Sequence, residues 1–303
     1  MLRFPTSTLF IEGPDCSGKT SLINQIHAET KYSWHIMDRS QFSRKLFCDL
    51  YNRVVPTAKD DLYFEMNNLN NRYIFLMPTL DVILERFENR GDEIHDKNSM
   101  IQVYKEFSKA VDVVRVFPNV TALYGNHTVE NLSSRVCTSL RLSEKPMLRE
   151  VSDQVIYLVS VRGNEAYPVQ FTLYDDGKFE ESDPDILNYE GESEYYQGIL
   201  SRLHEKISDE LSGKNEYNRV EDTSSRRFVY ADDTCISFIQ VGIRERLMDF
   251  HVVIRSTDVK NIFPYDLKFL YYLSSTCYDR FKNEVDSVRM RFDINSAHII
   301  KKD

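Results

Sequence analysis

The sequence predicts an α/β chain in two parts: a parallel sheet with helices on both faces, followed by an α+β part. Three observations carry this expectation. Short apolar runs alternate with amphipathic helical segments as far as Gly125, the pattern of strands joined by crossover helices. A glycine-rich phrase stands between the first of these strands and the first helix, where a phosphate cradle would stand. After residue 151 the alternation gives way to clustered β-rich runs.

The elements follow in order. Thr8–Glu12 (TLFIE) reads as a short buried strand, and 19–29 as a helix with Leu22, Ile23 and Ile26 on one face. A second strand is expected from Trp34 to Met37, then a helix over 40–52 with Phe42, Leu46 and Leu50 at spacing four. Tyr73–Met77 (YIFLM) is a third strand, stopped by Pro78. Residues 79–90 form an amphipathic helix with Leu80, Ile83, Leu84 and Phe87, residues 98–112 a further helix, and Val113–Phe117 a strand. The stretch 126–150 is polar and reads as a linker, apart from a helix at 128–140, so the expected domains are 1–125 and 151–303. In the second, Val151–Val161, Val169–Tyr174, Phe228–Ala231, Cys235–Ile243 and Phe250–Arg255 read as β-rich. Residues 175–195 read as an acidic loop, and 196–212 and 265–281 as helices.

Composition narrows the function classes. The chain has 303 residues, 42% hydrophobic and 28% charged, an ordinary globular balance for two domains. A net charge of −9 argues against a broad grip on DNA or RNA, but leaves room for a small phosphorylated ligand. No apolar run approaches the roughly 18 residues of a membrane span, and no secretory leader is expected in MLRFPTSTLFIEG. The five cysteines are scattered, with no C-x-x-C pair, which fits a reducing cytoplasm.

Two constellations carry chemistry. Gly13-Pro-Asp-Cys-Ser-Gly18-Lys19-Thr20 is G-x-x-x-x-G-K-[ST] between a strand and a helix. Its backbone N–H groups, with those of Asp15, Ser17 and Gly18 among them, would wrap the phosphates of ATP. Lys19 would reach the β- and γ-phosphates, and Thr20 would ligate magnesium. Asp38-Arg39-Ser40 follows the second strand, where an Asp and an Arg suit an acceptor hydroxyl or phosphate. Arg86 and Arg90, one helical turn apart before Gly91-Asp92-Glu93, suit charge neutralisation on a transferring phosphoryl group.

Together IEGPDCSGKT, DRS and LERFENRGDE resemble the thymidylate kinase and deoxynucleoside monophosphate kinase family over about residues 8–125. The resemblance implies that Lys19 and Thr20 serve ATP and magnesium, that Asp15, Asp38 and Arg39 face the acceptor nucleotide, and that Arg86 and Arg90 form a lid. One departure concerns the acceptor side: only eighteen residues separate Lys19 from Asp38, so the segment that usually carries acceptor-binding residues is short.

The second constellation is Ser225-Arg226-Arg227, Cys235, Arg255-Ser256-Thr257-Asp258, Asp266 and His298. It resembles thymidylate synthase and deoxycytidylate hydroxymethylase. Cys235 lies twenty residues before Arg255, and Asp266 eleven after it, the family spacings. The resemblance implies a thiolate at Cys235 that adds to C6 of a pyrimidine, with nearby arginines lowering its pKa. It further implies phosphate contacts from Arg255, Ser256 and, across a homodimer interface, Arg226 and Arg227, a ring contact from Asp258 and a sugar contact from His298. Asp266 stands where the family reads the base, and a carboxyl group suits cytosine. Ile236 and Ile300 stand where the family has His and Tyr, and the sequence ends five residues after His298, which reads as a truncated domain. Glu190, Glu192 and Glu194 lie near the place of the family's glutamate.

The expected function is therefore an ATP-dependent kinase of pyrimidine deoxynucleoside monophosphates, dTMP or 5-hydroxymethyl-dCMP. It is fused to a domain that binds a pyrimidine nucleotide and uses 5,10-methylenetetrahydrofolate if active. The expected partners are small nucleotides and a second copy of the chain, with neither membrane nor nucleic acid. Such a fusion points to a virus or phage that modifies its DNA precursors, working in the host cytoplasm. The rivals are a nucleotide sensor whose second half only binds and dimerises, and a kinase acting on modified bases within DNA.

Overall fold

A computed structural model describes residues 2–90, 96–143, 146–189, 192–211 and 228–300. The chain divides into two units, Thr6–Leu142 and Ser143–Asp303, the latter joined by Met1–Pro5.

The first strand, β1 (Leu2–Arg3), belongs to the second unit. The first unit runs β2 (Thr8–Glu12), α1 (Lys19–Thr30), β3 (Ile36–Asp38), α2 (Gln41–Leu50), α3 (Ala58–Asn67), β4 (Asn71–Met77), α4 (Leu80–Arg90), α5 (Lys97–Val114), β5 (Val120–Tyr124) and α6 (Val129–Ser143). Its sheet has the order β3-β2-β4-β5 and every pairing is parallel, with Ile11 opposite both Asp38 and Ile74. The chain leaves β2 for one neighbour and returns to the other, so the strand order reverses at β2. In open α/β sheets that reversal places the ligand crevice at the strands' carboxyl ends.

Strand alternation sends side chains to both faces of this sheet. Leu9, Ile11, Ile74 and Leu76 pack with Leu22 and Ile26 of α1 and with Val136, Cys137 and Leu140 of α6. On the other face Phe75 meets Phe42 of α2 edge-on, with ring centroids 4.7 Å apart, and Phe42 packs on Phe107 of α5 at 6.1 Å. Each such fully buried side chain contributes about 1.5–3 kcal/mol by leaving water. Helices on both faces of a parallel sheet are the fold class expected.

The second unit contains α7 (Leu148–Val161), β6 (Glu165–Ala166), β7 (Val169–Asp175), a 3-10 turn at Pro184–Asn188, α8 (Ser193–Leu211), β8 (Phe228–Ala231), β9 (Ile236–Arg244), β10 (Leu247–Ile254), β11 (Thr257–Asp258), α9 (Phe263–Phe281), β12 (Ser287–Ile294) and β13 (Ala297–His298). Its mixed sheet has the order β1-β7-β12-β10-β9-β8, with β10 and β12 parallel. Every second residue of β7 and β10 is buried. Phe263 of α9 meets Phe171 of β7 edge-on at 6.2 Å, and Phe171 stacks on Phe292 of β12 at 4.5 Å. A small sheet, β11-β13-β6, sets Asp258 beside His298.

Three expectations need correction. Val113–Phe117 is not a strand: Phe107, Val111 and Val114 are buried at helical spacing, so α5 runs on and the strand is β5. Residues 126–142 are no linker, because α6 buries Val136, Cys137 and Leu140 against the first sheet. Val151–Val161 is α7 rather than β-rich. Val151, Val155, Leu158 and Val159 are all buried at helical spacing, and that packing overrides the strand preference of valine.

Candidate functional site

The first site is a cleft of about 750 Å³ over the carboxyl ends of the first unit's strands, lined by Asp15, Ser17, Gly18, Lys19, Thr20, Asp38, Arg39, Arg86 and Arg90. Gly13 stands behind it with φ +142; a Cβ there would lie 2.5 Å from the Leu76 carbonyl oxygen. Only glycine lets the loop pass this close to β4. Gly18 is also left-handed, at φ +97, and hands the loop to α1.

The Lys19 ammonium is buried and donates to the carbonyls of Gly13, at 2.9 Å, and Pro14, at 2.8 Å. Burial lowers its pKa, and the neighbouring Asp15 partly offsets this. The Ser17 hydroxyl is buried in the same loop without a hydrogen-bond partner, a group that a phosphate oxygen would satisfy. Arg39 reaches across to Asp15 at 2.5 Å and lies 5.0 Å from the centre of the Phe47 ring. Arg86 leans over the loop and donates to the Cys16 carbonyl at 3.2 Å; Arg90 and Asp38 are exposed at the rim. Four cations thus face one nest of backbone N–H groups, which suits a polyphosphate. Among the lining residues Gly125 closes the expected first domain and His127 comes from the stretch read as a linker. Their signal was the GNHT turn ahead of α6, in which Thr128 accepts from the Asn131 N–H.

The second site lies where β9 begins and β10 ends in the second unit. The Arg255 N–H donates to the Cys235 carbonyl at 2.8 Å; both residues are exposed, although the Cys235 thiol is partly withdrawn from water. Val259 donates to the His298 carbonyl at 2.9 Å, and the Ser256 hydroxyl lies 3.5 Å from His298 Nδ1. Asp266 is buried in the first turn of α9, where its Oδ1 accepts from the Tyr196 hydroxyl at 3.0 Å and its Oδ2 from Thr257 at 3.5 Å. Burial is the main reason its pKa is pushed up to about 7, and the hydrogen bond from Tyr196 opposes the shift. Asp258 is turned onto its own loop, accepting from the Lys260 N–H at 3.0 Å and from Asn261 Nδ2 at 2.7 Å. Burial would raise Asp258, but these bonds hold it below the usual carboxylate range.

The thiol departs from expectation. Burial, followed by the Asp266 charge, raises the Cys235 pKa, and Arg255 only partly offsets them. The arginine does not lower it below an ordinary thiol. The Glu192 charge also acts on Cys235 and Asp266, while Glu194 is exposed and Glu190 lies outside the described residues. Ser225, Arg226 and Arg227 also lie outside the described residues, as do Gly91, Asp92 and Glu93. Tyr195 and Tyr196 were not foreseen: the Tyr195 hydroxyl accepts from the Ile236 N–H at 2.8 Å, beside the cysteine. Their signal was the paired tyrosine at the start of α8. No helix among the described residues is long and apolar enough to cross a membrane.

No protein-family model matches the chain, and no curated protein does. Among solved structures, the YorR protein of Bacillus subtilis, in complex with phosphorylated GDP, is similar at 14% identity and a TM-score of 0.36. That match covers 45% of this chain and 96% of YorR. Thymidylate synthase from T4 phage is similar at 14% identity and a TM-score of 0.24, covering 34% of this chain; the chain spans 48% of that enzyme. Both similarities are too distant to assign an activity.

Proposed function

We propose that the first unit transfers the γ-phosphoryl group of ATP to a pyrimidine deoxynucleoside monophosphate. The observation that carries this reading is the meeting of the P-loop with Asp38, Arg39 and two further arginines in one cleft. Polyphosphate at the loop would draw the Lys19 ammonium from the Gly13 and Pro14 carbonyls onto phosphate oxygens, and would engage the unpartnered Ser17 hydroxyl. Arg39 would exchange Asp15 for the acceptor's phosphate, and Asp15 would face the acceptor nucleotide. Arg86 and Arg90 would neutralise charge as it moves from donor to acceptor. Thr20 would hold magnesium, which when bound supplies further charge neutralisation at the phosphates.

In the second unit, Cys235, Arg255, Ser256, Asp258, Asp266 and His298 would form a site for a dCMP-like nucleotide. Arg255, Ser256 and the Arg226-Arg227 pair would hold the phosphate, the pair across a homodimer interface. With 5,10-methylenetetrahydrofolate bound, such a site supports one-carbon transfer to C5. The raised thiol of Cys235 favours the second reading, in which this unit binds its nucleotide and senses it without turnover. In the first reading its product feeds the kinase.

The test is a coupled ADP-release screen over all deoxynucleoside monophosphates, with the 5-hydroxymethyl forms included. Acceptor-dependent ADP release led by a pyrimidine is expected. Release no greater than with ATP alone, for every acceptor, would overturn the kinase reading.

A further inference from the structure

Glu12 has no part in the chemistry above. It is the last residue of β2, directly before Gly13, and it is fully buried. A carboxyl group withdrawn from water is costly unless its oxygens are filled. Here Oε1 accepts from both the N–H and the hydroxyl of Ser40, each at 2.6 Å, and Oε2 accepts from the Ser43 hydroxyl. Ser40 is the N-cap of α2, and its hydroxyl in turn accepts from the Phe42 N–H at 3.0 Å. In a capping box a helix satisfies its N-cap N–H from a side chain of its own first turn; α2 instead uses an acid from β2.

Arg39 sits immediately before this grip. Its φ is +76, a left-handed conformation that an arginine keeps only where its neighbours fix it. Its N–H donates to the Ile11 carbonyl at 3.1 Å, one residue before Glu12. The turn that carries Arg39 is therefore pinned on one side by Ile11 and on the other by Glu12, and its guanidinium then extends to Asp15 in the P-loop. We infer that Glu12 is a positioning residue, whose hold on Ser40 and Ser43 fixes the turn from which Arg39 enters the nucleotide cleft. This inference rests on the kinase reading above.

The chemistry of the grip selects the test. The Ser40 N–H can only donate, so Oε1 must accept, whereas the Ser43 hydroxyl can give or take. Glutamine at position 12 can satisfy both; alanine leaves the Ser40 N–H and the Ser40 and Ser43 hydroxyls without the acceptor they use here, although the Ser40 hydroxyl still accepts from the Phe42 N–H. Glu12→Gln, Glu12→Ala, Arg39→Ala and the Glu12→Ala/Arg39→Ala double variant are compared with dTMP and 5-hydroxymethyl-dCMP as acceptors, with ATP affinity measured separately. Glu12→Ala is expected to raise the acceptor KM about tenfold or more while ATP affinity stays within about threefold, because only the acceptor arginine is displaced. Glu12→Gln is expected to restore the acceptor KM to within about threefold of wild type, and the double variant to match Arg39→Ala within about twofold. If Glu12→Ala does not fold, Ser43→Ala replaces it in the same cycle with the same expected non-additivity. Additive losses in the double variant, or an unchanged acceptor KM in folded Glu12→Ala or its stand-in Ser43→Ala, would overturn the inference while wild-type transfer upholds the kinase reading. No transfer by the wild type to any deoxynucleoside monophosphate would overturn both; if another acceptor leads the ADP-release screen, the same variants are compared with that one.

Discussion

The N–H of Arg255 donates to the carbonyl of Cys235 at 2.8 Å, fastening two residues twenty apart in sequence onto adjoining strand ends. The bond sets a permanent cation beside a thiol, yet the thiol pKa lies above the ordinary value because burial and Asp266 outweigh the arginine. A raised pKa means less thiolate at neutral pH, and thiolate is the reactive form. Cys235 should therefore alkylate with iodoacetamide more slowly than a model cysteine peptide at pH 7.5, and more slowly still in Arg255→Ala. Peptide mass spectrometry over a time course reads both rates. Faster alkylation of Cys235 than of the peptide would mean that the thiol is activated.

The Lys19 ammonium already sits over the P-loop, held by two carbonyls, so little else in the first unit depends on it. Lys19→Ala should lower phosphoryl transfer by about 100-fold or more, as for other single charge-stabilising groups. Its thermal melt should stay close to wild type. ADP release and circular dichroism on one preparation check this, and wild-type ADP release by a folded Lys19→Ala protein would sink the kinase assignment.

Gly13→Ala tests the cradle without touching a charge. An added Cβ would lie 2.5 Å from the Leu76 carbonyl at φ +142, so the loop or β4 must shift. A strained backbone of this kind costs on the order of 1–3 kcal/mol. The variant should melt several degrees lower and bind ATP at least about tenfold more weakly, as a nest of N–H groups loses its alignment. Calorimetric titration with ATP reads the second effect; wild-type affinity would mean the loop is not the nucleotide site.

Much of the first unit was legible because its strands are short apolar runs and its glycine-rich loop has one local meaning. Val113–Phe117 and Val151–Val161 misled for one physical reason. Valine favours strands when nothing packs on it, and burial of Val111, Val114, Val155 and Val159 at helical spacing decided otherwise. The spacing of Cys235, Arg255 and Asp266 marked the second site, but the thiol's environment was not readable. It depends on Asp266 and Glu192, which only tertiary packing brings to bear on the cysteine. The grip of Glu12 on Ser40 and Ser43 was hidden likewise, since it spans two elements.

If Arg226 and Arg227 complete the partner's site, an Arg255→Ala chain and an Arg226→Ala/Arg227→Ala chain, each lacking part of the phosphate grip, should complement each other. The mixed dimer would hold one intact site, and half of all dimers are mixed after random exchange. Titration with dCMP should recover about one quarter of the wild-type sites, counted per subunit, under that symmetry. Light scattering that gives a monomer at micromolar concentration, or a mixture with no recovered sites, would contradict the shared site.

Asp266 makes the sharpest prediction for the second unit. It is the fourth residue of α9 and is buried, so it does not act as the helix cap; its oxygens face Tyr196 and Thr257 instead. With a pKa near 7, raised by burial, it is partly protonated at neutral pH. The folded-state pKa lies above the unfolded value of 3.8, so the folded protein binds the proton more tightly. The associated stability is fully present below about pH 4 and is lost as pH rises through about 7. Asp266→Asn has no such proton to lose, so its melting temperature relative to wild type should climb between pH 4 and pH 7.5. The same substitution tests base reading. A carboxylate faces the O4 of uracil unfavourably, at a cost of about 1–3 kcal/mol or roughly 10- to 100-fold in affinity, whereas the amino group of cytosine is a donor to it. Wild type should prefer dCMP to dUMP, Asp266→Asn should shift toward dUMP, and the wild-type preference should narrow as pH falls through about 7 and the carboxyl group becomes protonated. Calorimetric titration of both nucleotides into both proteins at pH 6 and pH 8 separates the effects. Equal affinities throughout, alongside the expected pH-dependent melting, would leave Asp266 a buried structural acid that does not read the base.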